Sequence, residues 1–417
     1  MNTPKTVLLS VLFLFFWCVS ARGANVKLID GNWKGVLILS ENSKLPFDVQ
    51  IKTLQKKNGI DVRVINGKED IALIYYGNIN DSIKLEFPAF ATYLILKPLK
   101  KSRLEGYWVN PTKKNNYRIP CIITYGSGKR FEHPALYQST IQPINIQGKW
   151  ETTFEPGTKD SSMAAGIFEQ RYNDISGTFL TETGDYRFLE GNVTSDSLFL
   201  STFDGSHAFL FKAKISNNEF ISGEFYSGKH WSCKWVAVKN NSFELTHPDS
   251  LTYLTKKEPF AIQIKNDTEV IFQFPNEQTK NKVVILQIMG TWCPNCMDES
   301  RFFKELFQKY HSSGLEIYGL CYENGSDVTV QKQRIATYIE RMKPGYDFIL
   351  AGTASKGLAS EHFKMLNQVM SFPTAIIIGK DGEVKRIHTG FNGPGTGTYY
   401  TEYIKETETF IQSLLQN

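Results

Sequence analysis

The sequence predicts a multidomain protein: two β-rich modules, sandwich-like or barrel-like, followed by one α/β domain. Three observations predict it. The chain has 417 residues, more than a single ordinary core accommodates. Aromatic residues make up 13% of it, many in short alternating runs before residue 250, which is a strand signature. After about residue 260, strand-like apolar runs alternate with helical periodicity, as in layered α/β units.

The chain opens with "MNTPKTVLLSVLFLFFWCVSARG", in which Lys5 precedes an apolar run and then small residues. Residues 1–21 read as a secretory signal, with Val19 and Ala21 at the two small-residue positions and Arg22 as the first mature residue. The run falls short of the roughly 20 residues of a membrane helix, although left uncleaved it is a candidate membrane anchor. Trp17 and Phe16 before Cys18 are too bulky for a lipoprotein signal. Export to the periplasm or cell envelope sets an oxidising compartment. Five cysteines then remain, an odd number, so at least one thiol stays free or pairs between chains.

The β-rich part divides into residues 24–140 and 141–240. "GNWKG" at Gly31 and "GKWET" at Gly148 lie 117 residues apart, and the same offset relates "LEGYWV" at Leu104 to "ISGEFY" at Ile221. Between these anchors "YGNINDSIKLEF" at Tyr76 mirrors "EGNVTSDSLFLSTF" at Glu190, at an offset of 114. Recurrence in one order at nearly one spacing points to an internal duplication. Each copy reads as short strands, with Asn58-Gly59 and Asn66-Gly67 as hairpin signals. Trp33 and Trp150, in the Gly-x-Trp starts, are either core or an aromatic floor under a ligand pocket, and core is the simpler reading. The net charge of +5 is spread out and gives nucleic-acid binding no support. The one basic cluster, Lys97, Lys100, Lys101 and Arg103, reads as a solvated loop.

Residues 241–259 have linker composition. In residues 260–417 the strands "AIQIK" and "VIFQF" precede "KVVILQIMG", an apolar run suited to a buried central strand. A helix from Pro294 to Tyr310 follows, with Phe302, Phe303, Leu306 and Tyr310 on one side. The rest alternates: strand "LEIYGLCY", helix "VQKQRIATYIERM", strand "YDFILAG", helix "SKGLASEHFKML", strands "TAIIIG" and "VKRIHTGF", and a last amphipathic helix to Leu415.

The junction "GTWCPNC" carries the chemistry. A structural zinc site needs two further ligands at knuckle spacing, and the seven histidines are scattered singly, so no metal site is assigned. A purely structural bridge across so short a loop gains little entropy. Redox chemistry remains. Cys293 sits where a buried strand ends and a helix begins, facing unpaired N–H groups and the positive end of the helix dipole, which favours the nucleophilic thiolate. Pro294 fits the first helical turn. Cys296, one turn on, is placed to break a mixed disulfide from within the molecule, so Cys293 attacks and Cys296 resolves.

With "MSFPTAIII" at Met370 following "GTWCPNC", residues 260 to 415 resemble the thioredoxin fold and, within it, the TlpA-like thiol-disulfide oxidoreductases of bacterial envelopes. The preceding β-repeats and "FELTHPDSLTYL" resemble longer Bacteroidota members. The resemblance implies that Pro373 is cis beside the cysteine pair and that the backbone of Phe372 pairs with an extended substrate peptide. Glu299 matches a glutamate of these proteins that exchanges a proton with Cys296, although Glu299 and Asp298 in a first helical turn also suit the helix dipole. Trp292 is expected to cover the sulfurs and shape the docking face. At the position of thioredoxin's buried aspartate, six residues before Cys293, stands Gln287, which is no base and leaves proton duty to water or Glu299.

The reading is an exported thiol-disulfide oxidoreductase that reduces protein disulfides, takes electrons from an envelope donor, and needs no cofactor beyond its own redox disulfide. Pro294-Asn295 lacks the histidine found between the cysteines of strong oxidants such as DsbA, which favours the reducing direction. The alternatives are an oxidase or isomerase, or an adaptor whose β-modules carry the main function. "GFNGPGTG" at Gly390 has no following Lys-Ser/Thr and reads as a mobile loop, not a phosphate cradle. Cys321 reads as a core thiol. Cys121 and Cys233 occupy non-equivalent places in the two copies, and nothing in the sequence supports a bridge between them.

Overall fold

The computed structural model describes residues 27–416 except 55–58, 80, 114, 116, 134–141, 218, 257 and 267. The secretory signal and Asn58 of the first hairpin signal therefore lie outside the described residues.

Both β-modules are closed eight-stranded barrels. The first is a meander of β1 (Gly31–Ser40), β2 (Ser43–Leu54), β3 (Gly59–Asn66), β4 (Glu69–Ile79), β5 (Ser82–Glu86), β6 (Tyr93–Lys100), β7 (Arg103–Val109) and β8 (Arg118–Tyr125). It closes where β1 pairs antiparallel with β8, Leu37 opposite Cys121. Closure follows from alternation: on β1 every second residue, Trp33, Gly35, Leu37 and Leu39, is buried, and a closed sheet has no edge to leave unpaired.

The second barrel repeats the plan with β9 (Gly148–Phe154), β10 (Ser162–Arg171), β11 (Asp174–Thr181), β12 (Gly184–Asp185), β13 (Leu189–Val193), β14 (Ser197–Phe203), β15 (Ala208–Asn217), β16 (Phe220–Ser227) and β17 (Trp231–Lys239). Here β9 bridges β10 and β17, pairing of β10 with β11 completes the ring, and the two-residue β12 hangs outside it.

The duplication is visible in detail. Trp33 Nε1 donates to Ile29 O at 3.0 Å and Trp150 Nε1 to Ile146 O at 2.8 Å. Both rings are fully buried, so they are core and not the floor of a pocket. A Cβ on Gly106 would lie 1.9 Å from Ile95 O, and one on Gly223 would lie 2.2 Å from Lys212 O, so both glycines answer the same close backbone approach.

The barrels are fastened to each other at one end of the first. Phe203, at the end of β14, enters that end and packs on Phe47, Phe87 and Trp108 at centroid distances of 4.8, 5.1 and 5.3 Å. Buried Arg130 adds hydrogen bonds to Asp48 and Asn66 of the first barrel and to Glu190 and Ser201 of the second.

Residues 241–259 are not slack. They carry a helical turn, α1 (Pro248–Leu251), whose Asp249 Oδ1 lies 2.6 Å from His388 Nδ1, while Thr389 Oγ1 donates to Thr252 Oγ1 at 2.7 Å. The hairpin of β18 (Ile262–Lys265) and β19 (Val270–Phe274) follows, then β20 (Val283–Met289), α2 (Pro294–Tyr310), β21 (Leu315–Glu323), α3 (Val328–Met342), β22 (Asp347–Thr353), α4 (Lys356–His362), β23 (Thr374–Ile378), β24 (Val384–Thr389) and α5 (Thr398–Gln416). The five-stranded sheet runs β22-β21-β20-β23-β24, parallel across the first three strands and antiparallel across the last three. All seven residues of β20 are buried because both faces are covered. Phe302, Phe303 and Leu306 of α2 and Ile411 of α5 pack against one face, and Phe363 and Leu366 pack against the other. This is the arrangement of a thioredoxin-like domain.

Candidate active site

The site grows from the end of β20. Glu323, buried at the end of β21, accepts from Thr291 N at 2.7 Å and Thr291 Oγ1 at 2.8 Å, which fixes the turn before the cysteines. Trp292 Nε1 donates to Tyr322 O at 2.9 Å. Cys293 caps α2, its Sγ accepting from Cys296 N at 3.2 Å, and Pro294 opens the helix. Cys293 and Cys296 form a disulfide. The outer residue keeps 6% of its surface exposed and the inner one none, so reagents reach Cys293 first.

The Phe372–Pro373 peptide is cis, and Cys293 Sγ lies 3.4 Å from Phe372 O. The Phe372 ring stands edge-on to Trp292 at 5.9 Å and stacks on Tyr322 at 5.6 Å. Behind the pair, Gln287 Nε2 donates both to Cys296 O at 3.3 Å and to Glu299 Oε2 at 2.8 Å. Glu299 is fully buried and its Oε1 has no hydrogen-bond partner. Burial pushes its carboxyl up to about 8, against the smaller opposing effect of the Gln287 hydrogen bond. Glu299 is therefore mostly uncharged at neutral pH. The structure thus brings Trp292, Cys293, Cys296, Glu299, Phe372 and Pro373 to one place.

A family model described as Redoxin matches residues 272–402. Thiol-disulfide oxidoreductase ResA of Bacillus cereus is 31% identical over 159 residues, covering 37% of this chain and 83% of the relative. The chain belongs to the TlpA/ResA-like thiol-disulfide oxidoreductases of the thioredoxin superfamily. ResA of Bacillus thuringiensis is 28% identical over 159 residues, again 37% of this chain and 83% of the relative. Among solved structures, a protein described as a putative protein disulfide isomerase from Bacteroides thetaiotaomicron aligns at 14% identity and TM-score 0.28, over 41% of this chain and 96% of its own. StoA from Bacillus subtilis aligns at 19% identity and TM-score 0.25, over 36% and 98%.

Both barrels lie outside the Redoxin match, yet this oxidoreductase has residues of each packed around its site. Arg187, almost fully buried in the second barrel, pairs with Asp298 of α2, with Glu69 of the first barrel at 2.6 Å and with Asp204 at 3.4 Å. Three domains thus meet on one guanidinium, one residue from Glu299. Burial raises the Glu69 carboxyl above its ordinary range despite Arg187, whereas at Asp204 burial is outweighed by His207 and Arg187, which hold it at about 2. Ser206 Oγ donates to Trp292 O at 3.3 Å, and Ser371 Oγ donates to Thr183 O at 3.0 Å.

The glycine-rich loop read as mobile is instead wedged against the second barrel. Gly393 N donates to Asp185 Oδ2 at 2.7 Å, and Gly390 (φ +79°) lies so close to Thr183 that a Cβ would come within 2.7 Å of its backbone. Gly390, Gly393 and Gly395 serve close approach between domains.

Sequence reasoning missed Glu323, Arg187, Asp204 and Ser206, none of which lies in a motif. Cys121, Cys233 and Cys321 are free, and burial raises all three thiols, Cys233 to about 11. Among the described residues no group of three or more His, Cys, Asp or Glu is arranged to hold a metal ion.

Proposed function

We propose that this oxidoreductase works in the cell envelope as a reductase of protein disulfides. The observation that carries the reading is the asymmetry of the pair: an outer sulfur at a helix N-terminus beside the Phe372 carbonyl, and a sealed inner cysteine tied through the Gln287 amide to an uncharged buried carboxyl. The Cys293 thiolate attacks a substrate disulfide, bonding to one sulfur and releasing the other as thiolate. Cys296 gives its proton to the Glu299 carboxylate and attacks Cys293 Sγ, which releases the second substrate thiol and leaves the Cys293–Cys296 disulfide. The substrate gains two electrons and the enzyme loses two. When a donor dithiol returns them, Cys296 leaves as thiolate and recovers its proton from neutral Glu299, so one proton serves both halves of the cycle.

In this cycle Phe372 offers its backbone to an extended substrate, Pro373 holds that backbone beside the sulfurs, and Trp292 shields them. The signal-like residues 1–21 support export, cleaved or retained as an anchor. Two measurements test the reading. In Cys296→Ala the second step cannot occur, so substrates should be recovered as mixed disulfides on Cys293, and recovery of no adducts from intact cells counts against the mechanism. The reduction potential tests direction: thioredoxin lies near about −270 mV and DsbA near about −120 mV. A value at the DsbA end would make the protein an oxidant and refute the proposed direction.

A further inference from the structure

The two barrels share a plan but not the fate of one end. In the first barrel Trp108 stands at the end that Phe203 fills. The repeat offset of 117 carries Trp108 to Phe225. At that end the second barrel is open, and a cleft of about 850 Å³ runs from Phe225 to Cys293. The catalytic sulfur therefore lies on the rim of a cleft whose floor is the aromatic core at that barrel end.

The cleft has a definite chemistry. Phe209 and Phe225 meet edge-on at 5.3 Å, Tyr186 packs on both at 5.2 Å, and His207 stacks on Phe209 at 4.4 Å. Trp231 stands edge-on to Phe225 at 5.5 Å and, like Met163, lines the cleft with about two-fifths of its surface exposed. Aromatic clusters of this kind favour an aromatic or large apolar guest. The β11–β13 connection borders the cleft and touches the redox domain at both Ser371 and Asn295; a Cβ on Gly184 would come within 2.1 Å of the Asn295 amide. Cys293 keeps only 6% of its surface exposed, which favours a narrow extended chain over a broad folded surface.

We propose that the open end of the second barrel selects the substrate: it takes an aromatic side chain of an extended, cysteine-bearing peptide segment whose disulfide sulfur meets Cys293. The proposal rests on the oxidoreductase reading above and narrows it from protein disulfides in general to unfolded or extended segments.

The test uses the full-length reduced protein and mixed disulfides between the chromogenic thiol thionitrobenzoate and hexapeptides. One set carries Phe two to four residues from its cysteine and a matched set carries Ser there. Attack by Cys293 on the peptide sulfur forms the enzyme–peptide disulfide and releases thionitrobenzoate thiolate, which is followed in single turnovers. Wild type should react with the best Phe peptide at least tenfold faster than with its Ser partner. Trp231→Ala and Met163→Ala should each bring that ratio below about threefold, and Trp231→Phe should restore it. Tyr107→Ala, which removes an exposed aromatic of the first barrel outside the cleft, should leave it intact. A wild-type ratio near one, or a ratio that survives both alanine variants, overturns the proposal while the redox reading stands. Release of no thionitrobenzoate from any peptide or from its symmetric disulfide defeats the redox reading itself, and the proposal with it.

Discussion

Replacing Glu299 by glutamine should abolish a large part of the pH dependence of the redox domain's stability. Burial lifts the Glu299 carboxyl from its usual 4.5 to about 8, and each pKa unit corresponds to about 1.36 kcal/mol. Full ionisation in the native state thus costs on the order of 5 kcal/mol relative to the unfolded chain. The sign follows from where the proton resides. Below about pH 4.5 both states hold it and stability is complete. Between about 4.5 and 8 the unfolded chain releases it while the native protein keeps it, so stability falls by up to about 1.4 kcal/mol per pH unit; above about 8 the loss levels off.

Glutamine keeps the shape and cannot ionise. Its amide N–H falls where the O–H of neutral Glu299 already has no partner, so below about pH 8 the swap adds little unpaired polarity. The comparison that isolates the carboxyl is the difference between wild type and variant, where the other titrations cancel. Between pH 5 and pH 8.5 that difference should move by about 4 kcal/mol in favour of Glu299→Gln. Amide hydrogen exchange of β20 and α2 in the oxidised proteins, corrected for intrinsic exchange, reads it in the domain concerned. Parallel pH profiles would mean that Glu299 is already ionised in the native protein, and its role as proton store would fail.

Two further changes probe the domain interfaces. Arg187→Met leaves Glu69, Asp204 and Asp298 buried together without their shared cation; a loss of about 3–5 kcal/mol is expected, read as a lower Tm and faster proteolysis between the second barrel and the redox domain, and an unchanged Tm would refute the node's structural weight. Gly390→Ala drives a Cβ to within 2.7 Å of the Thr183 backbone, whereas Gly382→Ala has a similar φ of +78° with nothing within 4 Å. The second should cost only the left-handed strain of about 1–2 kcal/mol, and the first should additionally open the barrel–redox contact in small-angle scattering; equal effects would show that the loop does not dock the domains.

Much of this protein is determined locally. The alternation of Trp33, Leu37 and Leu39 specifies a strand with one buried face, and the offset of 117 specifies that the module is used twice. The apolar run into "GTWCPNC" specifies a buried strand ending at a helix cap, and hence which sulfur lies outward. These features were legible because each depends on neighbours in sequence. Tertiary structure alone decided the rest. Alternation reads the same in a sandwich and in a barrel, and closure became definite only when β1 met β8 and β10 met β11. The sequence places Glu299 near the start of α2, where a solvated carboxylate would serve equally; the structure puts it past the first turn, and its rise to about 8 comes from burial. The Arg187 cluster joins residues 69, 187, 204 and 298, whose attraction depends on a shared low-dielectric site and leaves no trace in spacing. Likewise two copies of one barrel plan became a plugged end and an open one because Phe203 fills the first while the redox centre borders the second.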